Sequence, residues 1–107
     1  PTVDGAYCDM KAVIKSGDEL TRCYFADNDL IAAGAMRALS EAGYRIPEDI
    51  SVIGFDDMPM CTYITPPLST VHVPKQYMGE IAVKRLAEII SHVKIEISTE
   101  IVKRKSC

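Results

Sequence analysis

The sequence has no run of about 18 apolar residues, so no segment is suited to cross a bilayer as a helix. No secretory signal is visible, but the chain opens at Pro1 rather than Met and reads as a piece of something longer. It has no CxxC pair. No histidine stands at metal-ligand spacing from Cys8, Cys23, Cys61 or Cys107, so no metal site is expected. Gly34, Gly43 and Gly54 are scattered and form no phosphate-cradling loop. No Ser/His/Asp or Cys/His arrangement has an interpretable spacing. An enzyme is therefore not expected, and no cofactor is implied. Internal repeats and low-complexity stretches are missing too.

What is present is ordinary globular material. The 107 residues are 48% hydrophobic and 25% charged, which excludes a disordered tail, a collagenous repeat and a coiled-coil rod. The net charge of −3 makes the chain a poor candidate for gripping nucleic acid unaided. The charge is uneven: residues 1–74 carry a net −6 and residues 75–107 a net +3. Lys103, Arg104 and Lys105 read as a solvated basic end. Cys8 and Cys23 fall inside helix and strand patterns, where a free thiol behaves as a small hydrophobe. All four cysteines are read as reduced, which favours a cytoplasmic home.

Hydrophobic spacing orders the chain. Val3, Tyr7, Met10 and Ile14 recur at helical intervals and stop at Gly17. Residues 22–26 (RCYFA) form a short apolar run that reads as a buried strand. Leu30, Ile31, Ala35, Ala38, Leu39 and Ala42 define a second helix, closed by Gly43, with Asp29 as its N-cap. Residues 50–55 (ISVIGF) make a second buried strand. Pro59, Pro66 and Pro67 bar helix from the next stretch. Residues 69–73 form a third strand. Met78, Ala82, Leu86, Ile90 and Val93 form the stripe of a third helix, and Ile95, Ile97, Ile101 and Val102 suggest a last strand. Two apolar strands joined by a helix indicate a parallel sheet with a right-handed crossover. The first helix has no strand before it, so the sheet should lack a neighbour and expose an apolar edge or helix face.

In such sheets ligands bind beyond the carboxyl ends of the strands. Both apolar strands end in polar residues there: Asp27, Asn28 and Asp29 after the first, Asp56 and Asp57 after the second. A crossover brings both ends to one edge, so Asn28 and Asp56 can face one cleft. A carboxylate accepts from two neighbouring hydroxyls, and an amide both donates and accepts. The pair suits a polyhydroxylated molecule such as a sugar or the ribose of a nucleoside. Asp29 has two readings, helix cap and ligand. Asp27 and Asp57 read as turn formers, and His72 as a strand-face residue. Met60 and Tyr63 fit either a partner surface or a loop folded onto its own core.

The wording of the chain adds to this. Residues 25–32 (FADNDLIA), 34–39 (GAMRAL), 41–43 (EAG), 46–57 (IPEDISVIGFDD) and 66–71 (PPLSTV) stand in an order and spacing that resembles the C-terminal part of LacI-type (LacI/GalR family) transcriptional regulators. The resemblance covers essentially the whole chain. It implies a periplasmic-binding-protein-like α/β fold, a doubly wound parallel sheet in two subdomains that close on an effector. Residues 1–68 would form most of the C-terminal subdomain. Residues 69–94 would be a crossover strand and a helix packing on an N-terminal subdomain largely absent here, and residues 95–107 a returning strand.

The resemblance further implies that Asn28 and Asp56 face the effector, with Asp29 and Val73 nearby. Val73 stands where sugar-responsive relatives often carry a polar contact. Met58, Met60, Cys61 and Tyr63 would lie near a homodimer interface. Operator DNA would be bound only through a helix-turn-helix headpiece that this chain lacks, with effector shifting the population of closure states. The alternatives are a sugar-binding component of a transporter and, of another class, a phosphoacceptor receiver domain.

Overall fold

The computed structural model describes residues 2–88 and 94–107. Ile90 and Val93, the last two positions of the third helical stripe, lie outside them. Helix α1 spans Val3–Ser16. It starts because Thr2 Oγ1 accepts the Gly5 N–H at 3.0 Å, and it stops at Gly17, whose φ of 79° is left-handed. Strand β1 (Cys23–Phe25) leads into α2 (Asp29–Glu41), then β2 (Ser51–Ile53). A short 3-10 turn covers Pro59–Thr62. Strand β3 (Thr70–His72), helix α3 (Lys75–Ala87) and β4 (Glu100–Val102) follow.

β1 and β2 pair in parallel, Cys23 opposite Ser51 and Phe25 opposite Ile53. β2 meets β3 through two parallel bridges, Ile53–Ser69 and Asp56–His72. β3 pairs with β4 antiparallel, Thr70 opposite Val102. The expected all-parallel sheet therefore holds through β3 and is corrected at β4. The last strand also holds only Glu100–Val102; Ile95 and Ile97 lie outside it.

The core joins the inner face of α2 (Ala32, Met36, Leu39) to Ile50, Val52, Cys61 and Leu68, with Met10 and Ile14 of α1 packed against it. Helices α1 and α2 approach closely at Gly34, where a Cβ would meet the Val3 carbonyl and the Ala6 methyl. The first apolar run is not a buried strand. Among the described residues β1 has a strand neighbour on one side only, and Phe25 is 62% exposed, edge-on to Phe55 at 6.5 Å between ring centres. Cys8 and Cys23 are exposed as well; of the four free cysteines only Cys61 serves as a buried hydrophobe.

The basic end is corrected too. Arg104 and Ser106 are built into the sheet. Ser106 Oγ donates to Val52 O at 2.6 Å and accepts the Ser69 N–H at 2.8 Å, while the Val52 N–H donates to Ser106 O at 2.8 Å. These bonds close the inner flank of β2, whose other flank is β1. The Arg104 N–H donates to Ser69 Oγ at 2.8 Å.

Candidate functional site

The loop after β2 is tightly specified. Asp56 and Asp57 have φ of 104° and 53°, a left-handed region that non-glycine residues seldom occupy. Such geometry persists only when its surroundings over-determine it, and here they do. The Asp56 N–H donates to Val71 O at 2.9 Å. The Asp57 N–H donates to Thr70 Oγ1 at 3.3 Å, and the Met58 N–H to Asp29 Oδ2 at 2.7 Å.

Asp29 is wholly buried, and its other oxygen accepts the Thr70 hydroxyl at 2.6 Å. Both carboxylate oxygens thus serve the loop. A Cβ at Gly54 would collide with Asp29 Oδ1 and press Leu68, so the glycine makes room for this buried carboxylate. Two expectations change. The N-cap of α2 is Asn28, whose Oδ1 accepts the Ile31 N–H at 2.9 Å. Asp29, the expected cap, is instead a buried strut one residue further on, beneath the loop.

Asp57 is more than a turn former. Its Oδ1 accepts from Arg104 at 2.8 Å and its Oδ2 lies 3.0 Å from His72 Nδ1. Burial alone would push its carboxyl up, but the hydrogen bonds from Arg104 and His72 outweigh burial and hold it below the usual carboxylate range. Arg104 also donates to Leu68 O at 2.8 Å, so one guanidinium ties the chain's last segment to the site loop. Sequence reasoning missed Arg104. Its partner lies 47 residues away, and no local pattern marks it. His72 remains a strand-face residue, with nearly half its side chain exposed.

Asp56, Asp57 and His72 form one wall of an open groove of about 650 Å³, lined also by Val73, Lys75 and Glu80 of the β3–α3 connection and helix. Lys75 Nζ donates to Asp56 O at 3.1 Å and lies 3.6 Å from Asp56 Oδ1. Asp57 is neutralised by Arg104 and Asp56 is balanced by Lys75, so the wall carries paired charges and free hydrogen-bonding edges. Such a lining suits a neutral, hydroxyl-rich molecule better than a strongly charged one. The structure brings Asp56 and Val73 together in the groove. Asn28 stands at the same sheet edge but does not line it, and its carbonyl oxygen is committed to the cap. Among the described residues no cluster of three or more His, Cys, Asp or Glu side chains could hold a metal.

The segment expected at a dimer interface divides. Tyr63 is 84% exposed, whereas Cys61 is fully buried and Met58 packs against the core. Burial, then the neighbouring Asp29 carboxylate, pushes the Cys61 thiol up to about 12. Cys61, expected near a dimer interface, lies in the core of this chain.

The described residues thus form a parallel βαβ unit with an acid-bearing loop at its carboxyl edge, joined by a crossover strand to a helix that stands off it. The profile of the periplasmic binding protein-like domain family matches residues 2–107. Among curated proteins, the chain is 42% identical over 108 residues to the HTH-type transcriptional repressor PurR of Mannheimia succiniciproducens, covering 96% of this chain and 32% of that protein. It is 40% identical over 111 residues to the HTH-type transcriptional regulator GalR of Lacticaseibacillus casei, covering 98% and 34%. The chain thus spans about a third of the length of these relatives.

Among solved structures, a LacI family transcriptional regulator from Arthrobacter sp. FB24 in complex with lactose superposes with a TM-score of 0.87 at 32% identity, covering 98% of this chain and 41% of that one. The lac repressor dimer bound to operator and the anti-inducer ONPF gives 0.92 at 28%, covering 98% and 38%. The chain belongs to the periplasmic-binding-protein-like domain family.

Proposed function

We propose that this chain is the effector-sensing part of a DNA-binding transcriptional regulator. It takes a small polyhydroxylated ligand, sugar-like or nucleoside-like, between its own lobe and a second one, and so modulates operator binding. The observation that carries this reading is Asp56. It is held at φ 104° by the Val71 carbonyl and Lys75, with its side chain partly open to the groove. A loop fixed in that way is pre-organised, so ligand binding does not have to order it. Val73 supplies an apolar patch beside the acid. Asn28 supports the same edge through its amide NH2, which the cap leaves unused. The regulator acts in the cytoplasm as a homodimer, with Tyr63 on the contact surface and Met58 and Met60 behind it, and operator DNA is held by a helix-turn-helix elsewhere in the protein.

The test is Asp56→Ala in the full-length protein that carries this chain. Operator binding without effector stays close to wild type. The effector needed for half-maximal response rises at least about tenfold, the size expected for losing a hydrogen bond to a charged group. An unchanged effector titration by mobility shift or fluorescence would end the assignment. The four free cysteines favour this reading over a sugar-binding transport protein of an oxidising compartment.

A further inference from the structure

Helix α3 has no buried side chain. Gln76 pairs with Glu80 and Arg85 with Glu88, both local to the helix and its end. Lys75 is the exception, with its ammonium 3.1 Å from Asp56 O and 3.6 Å from Asp56 Oδ1. Among the described residues this is the one side-chain hydrogen bond between α3 and the loop of residues 54–58. Both of its ends are well placed to transmit a change. Asp56 is fixed from behind by β3 through the Val71 carbonyl, and the Lys75 N–H donates to Val73 O at 2.8 Å, at the point where β3 turns into α3.

We propose that Lys75 is a positioning residue that couples the Asp56 carboxylate to helix α3. Its ammonium holds two oxygens of one residue, the peptide carbonyl and the carboxylate. A ligand hydroxyl donating to Oδ1 draws off part of its negative charge and weakens the 3.6 Å ion pair, so the ammonium leans on the peptide oxygen and the first turn of α3 loosens from the loop. The proposal deepens the reading of Asp56 as the effector contact and rests on it for its biological consequence. The contact itself can be tested without any effector.

The experiment is hydrogen–deuterium exchange on the ligand-free, full-length protein, comparing wild type with Asp56→Asn, Lys75→Met and Lys75→Arg. Asp56→Asn and Lys75→Met each speed exchange about threefold in peptides covering residues 74–82, the size an exposed ion pair supports. Lys75→Met also speeds exchange in residues 54–60, and Lys75→Arg restores wild-type rates in both. Exchange in α1 and α2 does not move. Unchanged rates in α3, acceleration in only one of the two variants, or a uniform rise that includes α1 and α2 each overturn the proposal. The effector response of Asp56→Ala is a separate measurement, so coupling and ligand contact fail independently.

Discussion

Residues 2–68 and helix α3 have similar alphabets and opposite fates. The first region turns Leu39, Val52 and Leu68 entirely inward. The second leaves Val83 67% and Leu86 86% exposed although both lie within helix α3. The chain's Cα radius of gyration is 17.2 Å, against about 13 Å for a compact domain of this length. Apolar spacing specifies a helix but not its partner. A stripe is satisfied only when a surface is present to receive it.

The largest expected difference between the two regions is read by a matched pair of truncations in urea unfolding of this chain. Leu39→Ala removes a fully buried side chain and costs about 2–5 kcal/mol, whereas Leu86→Ala stays within about 0.5 kcal/mol. A Leu86 cost above about 1 kcal/mol in the longer protein, absent in this chain, identifies a surface that covers α3 there. The next effect is Gly54→Ala, which drives a methyl into Asp29 and Leu68 and costs about 1–3 kcal/mol; a neutral result means the buried strut is not needed to hold the loop.

The smallest effect is on acid stability. The folded Asp57 carboxyl is held below its usual 3.8, so the Arg104–Asp57 pair contributes fully above that value. The contribution is lost as pH falls through the lower folded value. Urea midpoints of the wild type therefore drop below about pH 4, and Asp57→Asn, already weaker at pH 7, drops less steeply over the same window. Parallel curves would remove the pair from the account.

The repeating elements were legible because they obey local rules. Gly17 stops α1 where the spacing ends, and the crossover places the ends of β1 and β2 on one edge as the apolar runs imply. The cap of α2 was read one residue late, since Asn28 and Asp29 are adjacent and equally good caps. Only the buried demand of the Met58 N–H and the Thr70 hydroxyl decides which of them turns inward. Asp56 was legible from its position after an apolar strand, whereas the partners of Asp57 were not. The basic end looked like solvated charge because nothing near Arg104 in the chain announces a carboxylate far upstream.

Ser106 sits between β2 and the segment before β3, so the inner flank of the second strand is completed by residues that follow it by more than fifty positions. A nascent chain leaves the ribosome in order, N-terminal residues first. The helices α1 and α2 and the β1–β2 pair can form early, but the Asp57–Arg104 clamp cannot close until residues 104–106 have emerged. The loop at Asp57 therefore gains its Arg104 clamp late, and Val52 keeps an unpaired N–H and carbonyl on one flank until Ser106 arrives, although Ile53 and Asp56 have already met β3.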